Sequence, residues 1–134
     1  MRMRQRFLLL LLVVWCALAG GYSQSSSDIQ TYISRYRQIA LEQERQYGIP
    51  ASITLAQGIL ESGAGKSGLV KSSNNHFGIK RGTSWSGPVH YAWDDDPQKS
   101  AFRVYASALE SYRDHSLFLV NNGRYSFLFS KSVY

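Results

Sequence analysis

Cysteine, proline and histidine are scarce in this chain. Its 134 residues contain one cysteine, three prolines and three histidines. The cysteine, Cys16, lies inside an apolar N-terminal run, so the remainder can form no disulfide and perform no thiol chemistry. A domain built from that remainder must be held by its core alone. His76, His90 and His115 show no compact ligand spacing of the H-E-x-x-H kind. No metal site and no cofactor are therefore expected. Lys and Arg are scattered, without a dense basic run beyond the first residues, which disfavours nucleic acid as a partner.

The N-terminus carries a different signal. Arg2, Arg4 and Arg6 precede an apolar stretch from Phe7 to Leu18, and Ala17-Leu18-Ala19 before Gly20 resembles a small-residue cleavage site. This reads as a secretory signal peptide over residues 1–20, its apolar core too short for a comfortable membrane span. An uncleaved anchor is the alternative. Lipidation at Cys16 is disfavoured by the bulky Trp15 before it. A polar linker, 21–27, and one domain, 28–134, follow. The expectation is an exported protein of the periplasm, cell envelope or exterior, monomeric and without stable membrane insertion once the signal is gone. Removal of residues 1–24 leaves twelve Lys and Arg against nine acids, so the formal charge falls from +6 to +3. A mildly basic exported domain suits an anionic wall or membrane surface, although charge alone also serves solubility.

From Asp28, a candidate cap, Ile29, Tyr32, Ile33, Tyr36, Ile39, Ala40 and Tyr47 recur at helical spacing until Gly48. Pro50 suits the first turn of a second helix. Ile53, Ala56 and Leu60 share a face there, and Gly63 is its expected C-cap. Residues 64–106 are rich in Gly, Ser, Asn and Asp. They hold short apolar pieces at 76–80, 89–93 and 101–105, read as strands or extended segments of a small β lobe. Ser107-Ala108-Leu109-Glu110 is a capping-box pattern. It opens a helix whose Ala108, Tyr112, His115 and Leu119 form one stripe, ended by Asn121-Asn122-Gly123. A short helix is expected from Tyr125 to Phe129. The fold class is α+β, a mainly helical lobe and a small β lobe with a cleft between them.

Glu61 stands in the last turn of the second helix, followed by Ser62-Gly63. The partial negative charge of a helix C-terminus and an apolar setting both disfavour ionisation there. A carboxyl group kept protonated near neutral pH is what a general acid needs, although an ordinary exposed Glu fits the spacing as well. The densest acidic cluster is Asp94-Asp95-Asp96. It reads as a solvated turn, or as a carboxylate facing Glu61 across the cleft to activate water or stabilise a cationic sugar transition state. A calcium loop is disfavoured, because no spaced series of oxygen ligands follows. Phe77, Trp85, Tyr91, Trp93 and Tyr105 crowd the β lobe. Aromatic faces dock sugar rings, yet a lobe without disulfides also needs aromatics in its core. Phe77 and Tyr105 are expected inside, Trp85 or Trp93 at the surface, and His115 packed on a helix face.

Two stretches, PASITLAQGILESGAGKSGL and NNHFGIK, together with AFRVYASALESYRDHSLFL and RYSFLF, resemble the glucosaminidase domain of glycoside hydrolase family 73, from about Ile29 to Tyr134. The resemblance implies a lysozyme-like α+β fold. It also implies cleavage of the β-1,4 bond after N-acetylglucosamine in peptidoglycan glycan strands, with muramidase, lytic transglycosylase and non-catalytic wall-binding variants as alternatives. The family's catalytic Glu, in E-S-G-x-G-K-S, falls on Glu61. Its second acid falls within residues 94–96, taken as Asp94 and Asp95. Asn74, Asn75, His76 and Phe77 match the cleft-lining segment, and Trp85 and Trp93 are the aromatic candidates for substrate contact. How the reaction finishes stays open between water activated by an Asp and assistance by the substrate's acetamide. Members of the family continue with a Trp-Ala segment and a Gly-Tyr-Ala-Thr motif, so the resemblance implies a domain lacking its C-terminal part.

Overall fold

The computed structural model describes residues 24–95 and 97–128. The expected signal peptide, Asp96 and the last six residues lie outside the described residues. The chain runs α1 (Ser26–Tyr47), α2 (Ala51–Ser62), α3 (Gly68–Ser73), β1 (Val89–Ala92), β2 (Ser100–Arg103), α4 (Ala108–Val120) and a 3₁₀ helix (Gly123–Leu128).

The first helix begins three residues before the expected start. Ser25 is its cap, the hydroxyl accepting the Asp28 N–H, so Ser26 and Ser27 are helical rather than linker. Asp28 instead sits in the first turn, where the helix N-terminus favours its charge, and pairs with Lys66 at 2.6 Å. Gly48 ends the helix in the left-handed conformation (φ 74°), accessible to glycine without steric cost. Pro50 offers no side-chain cap to α2. The Glu44 carboxylate of α1 accepts the Ala51 N–H at 2.9 Å instead, so one helix caps the next.

The buried face of α2 differs from the expected one. Ala51, Thr54, Gly58 and Ser62 are buried, whereas Ala56 and Leu60 are exposed. Small residues let α1 approach closely, and the larger apolar ones are left for the opposite side. Gly58 is the tightest point of this contact. Above it, Tyr112 Oη donates to Tyr32 Oη at 2.8 Å, and Tyr32 Oη lies 2.8 Å from His76 Nδ1. Burial holds the His76 imidazole down at about 4, so it is neutral, and its Nδ1 accepts from Tyr32. Tyr36 and Phe77 complete this aromatic core, in which α1 packs on both α2 and α4.

A short helix, α3, was not anticipated. Six residues of Gly, Leu, Val, Lys and Ser give little periodic signal, but Ser67 caps the helix and Asn74 (φ 54°) ends it. The β lobe is a two-stranded antiparallel sheet with His90 opposite Phe102. The 76–80 stretch is not a third strand. It contributes one bridge, Lys80 to Phe102, with the Arg103 N–H bonded to the Ile79 carbonyl and the Arg81 N–H to the Ala101 carbonyl, and Gly78 turns left-handed (φ 62°) just before it. The Asn75 amide accepts the Ile79 N–H and donates to the carbonyls of Ile79 and Arg103. The lobe is tied to α4 by Asp114, which accepts from Arg103 at 2.9 Å and from Tyr105 Oη at 2.5 Å. Helix α4 is capped by Ser107 as expected, while Glu110 accepts the N–H of Ala106.

A Cβ at position 58 would collide with Tyr32 Oη and crowd Tyr112 Oη at 3.2 Å. Both hydroxyls belong to the buried network and have nowhere to swing. Gly58→Ala is expected to destabilise the fold by roughly 1–3 kcal/mol, read as a lower urea midpoint. An unchanged midpoint would show that the hydroxyl pair yields freely.

Candidate active site

Glu61 projects from the last turn of α2 into a cavity of about 390 Å³. The helix ends at Gly63 (φ 58°), and the Ser62 hydroxyl pins the turn by donating to Gly58 and accepting the Gly65 N–H. Glu61 is thus held at the rim of a rigid element while Ser62 faces the core. The facing wall comes from residues 77–80, where a Cβ on Gly78 would lie 3.4 Å from Glu61 Oε2. The left-handed glycine therefore brings backbone up to the carboxyl group without a side chain between them. Helix α4 and the 3₁₀ helix close the remaining side with His115, Phe118, Leu119 and Tyr125.

This environment pushes the Glu61 carboxyl up to about 7. Burial is the larger cause and the negative charge of Asp94 the second. Asp94 moves the other way. Burial acts to raise it, but hydrogen bonds and charge from Lys80, the Asp95 backbone and the Ser100 hydroxyl outweigh that and hold it below the usual carboxylate range. Lys80 Nζ lies 2.5 Å from Asp94 Oδ2. Near pH 7 the Glu61 carboxyl is therefore partly protonated beside an ionised Asp94, and the two titrate far apart, the separation of states that acid–base chemistry on a glycosidic bond requires.

Of the residues singled out from sequence, Glu61 and Phe77 line the cavity, while Asp94 is not part of its wall and reaches the site through its ion pair with Lys80 and its charge on Glu61. Asp95 is exposed beside Asp94, and Asp96 lies outside the described residues. Asn74, Asn75 and His76 stand behind the cavity wall. Asn74 ends α3 and donates to the Tyr105 carbonyl, Asn75 is bound into the β lobe, and His76 bonds to Tyr32. Trp85 donates to the Pro88 carbonyl, packs edge-on to Tyr105 and carries the Arg103 guanidinium on its face. Trp93 is 69% exposed, with the Lys99 ammonium 5.8 Å from its ring. Sequence reasoning missed Gln57, Lys80 and Arg103 as cavity residues, and His115 as more than core. Gln57 was findable: it precedes Glu61 by four positions and so shares its helix face. Among the described residues no three His, Cys, Asp or Glu side chains gather as a metal site, and no helix is long and apolar enough to cross a membrane.

A helical lobe and a small antiparallel lobe, with a carboxyl group at a helix end in the cavity, make a lysozyme-like fold. The model of the glucosaminidase family, described as mannosyl-glycoprotein endo-beta-N-acetylglucosaminidase, matches residues 37–134, and the chain belongs to this family. It is 34% identical over 112 residues to the peptidoglycan hydrolase FlgJ of Salmonella typhimurium, covering 75% of this chain and 35% of that protein. The glycoside hydrolase domain of the same Salmonella protein superposes with a TM-score of 0.67 at 34% identity, over 78% of this chain and 68% of that one. A peptidoglycan hydrolase from Sphingomonas sp. A1 superposes at 0.69 and 31% identity, over 77% and 69% of the two chains. The chain spans about a third of the length of the curated relatives it matches.

The raised carboxyl has a consequence for stability. Its value in the fold, about 7, exceeds the ordinary 4.5, so folding favours the protonated form. That contribution is fully present below about pH 4.5 and is lost as pH rises through 7. A neutral glutamine does not titrate. Between pH 4 and pH 8, Glu61→Gln should gain on the wild type by roughly 1–3 kcal/mol, read by thermal or urea unfolding across that range. A difference between the two proteins that is constant with pH would contradict the assigned cause.

Proposed function

We propose that this protein is an exported peptidoglycan hydrolase that cleaves the β-1,4 bond after N-acetylglucosamine, with Glu61 as general acid. The observation that carries the reading is the buried Glu61 carboxyl, pushed up to about 7 beside an ionised Asp94. The family and the names of the similar proteins supply the substrate class, and the signal-like N-terminus supplies export.

In this reading, Glu61 donates its proton to the glycosidic oxygen as the bond from C1 breaks, so the leaving sugar departs as a neutral alcohol. Positive charge develops at C1 and the ring oxygen. Asp94, kept ionised by Lys80, stabilises that charge or takes a proton from the attacking water. Water then supplies the hydroxyl at C1, and the released proton restores Glu61. The apolar wall of Leu60, Phe77, Ile79 and Phe118 keeps bulk water from the carboxyl group and so maintains its protonated state. Trp93, exposed next to Asp94, offers a face to a sugar farther along the glycan strand.

The test is digestion of purified peptidoglycan followed by mass spectrometry of the soluble products. Fragments ending in reducing N-acetylglucosamine are expected, with a rate that falls as pH rises through about 7 because the acid loses its proton. Glu61→Gln should lower kcat by roughly 10²–10⁴-fold while the chain stays folded. Anhydro ends would indicate a lytic transglycosylase. A folded protein that binds the wall with no product, or a Glu61→Gln variant of full activity, would overturn the proposal.

A further inference from the structure

Gln57 and His115 form a pair that the proton transfer itself does not use. Gln57 lies one turn before Glu61 on α2 and lines the same cavity. His115 comes from the middle of α4 and is buried, stacked flat on Phe77 with ring centroids 3.8 Å apart. Its Nε2 lies 2.8 Å from Gln57 Oε1, and its Nδ1 is buried without a hydrogen-bond partner.

That orphaned nitrogen fixes the orientation of the glutamine. With the proton on Nδ1, an N–H would be buried with no acceptor, whereas a bare Nδ1 lone pair is the lesser loss. The proton therefore sits on Nε2, which donates to Gln57 Oε1, and burial keeps the ring from gaining a second one. The carbonyl end of Gln57 is consumed. Its NH₂ group has no partner among the described residues and is the donor the side chain brings to the cavity.

The surroundings indicate what such a donor meets. Leu60, Phe118 and Leu119 give apolar wall, which suits a methyl group better than a sugar hydroxyl. A methyl beside a carbonyl acceptor is the shape of an acetamido group. In an N-acetylhexosamine that group hangs from the carbon next to the one whose bond breaks. A donor one helical turn from the acid, about 5–6 Å away between Cβ atoms, is displaced in the matching way. We propose that Gln57, oriented by neutral His115, is the specificity residue that reads the acetamido carbonyl of the sugar whose bond is cleaved, with His115 as its positioning residue. This rests on the glycosidase reading of the cavity and adds the group by which it selects its substrate.

Binding separates the two ideas. In a Glu61→Gln background, tri-N-acetylchitotriose and the corresponding glucosamine trimer are titrated into ¹⁵N-labelled protein, and the Gln57 side-chain NH₂ resonances are followed. The acetylated trimer should bind about tenfold or more tightly and shift those resonances, whereas the amine trimer should not shift them. Gln57→Leu should abolish the preference at unchanged fold. In the Glu61-containing enzyme it should lower kcat/KM on fully acetylated peptidoglycan, with little effect on de-N-acetylated material. Gln57-dependent preference without any cleavage would sink the hydrolase reading and leave only acetamido recognition by Gln57 standing. Equal binding of the two trimers, or a preference that survives Gln57→Leu in an active enzyme, would overturn the inference alone.

Discussion

Burial of the Glu61 carboxyl against the charge of Asp94 is the constraint around which the cavity is arranged. A carboxyl group half a turn from the end of a helix would ordinarily reach water and ionise. Here the glycine at position 78 lets backbone approach it, while Leu60, Phe77 and Phe118 limit its solvent. Lys80, the Asp95 backbone and the Ser100 hydroxyl favour the charge on Asp94, and that charge adds to the burial already favouring a protonated Glu61. Lys80 is half exposed, so salt screens its pairing and softens the coupling at high ionic strength.

The helical lobe exists to hold that carboxyl still. Helix α2 turns a stripe of Ala51, Thr54, Gly58 and Ser62 inward, which lets α1 come close and leaves Gln57, Leu60 and Glu61 for the cavity. The hydroxyl chain from Tyr112 through Tyr32 to His76 links α4, α1 and the segment leading to Gly78. Both faces of the site, the acid and the backbone wall opposite it, are therefore anchored to one buried polar network. Such a network favours a single arrangement only when each member is satisfied.

Local chemistry was the legible part of this chain. The stops at Gly48 and Gly63, the Ser107 cap and the two strands around 89–92 and 100–103 each follow from a residue type at a required backbone position. The placement of Glu61 in a last turn followed as well. What the sequence concealed was contact between distant segments. The inward stripe of α2 is made of small residues, which carry little hydropathy signal, so the larger Ile53 and Leu60, with Ala56 between them, stood out instead. Asn75 resembled a substrate contact and is bound to the carbonyls of Ile79 and Arg103, beside the backbone bond that joins those two residues. Gln57 and His115 are 58 positions apart, and nothing local in either predicts their bond.

Burial and the charge of Asp94 together hold the Glu61 carboxyl up to about 7. Direct titration of the Glu61 carboxyl by ¹³C NMR, in the wild type and in Asp94→Asn, tests this. A midpoint near 7 is expected in the wild type and a lower one when Asp94 loses its charge, with most of the elevation retained because burial is the larger cause. A wild-type midpoint near the ordinary 4.5 would contradict it, since Glu61 would then be ionised at neutral pH and have no proton to give.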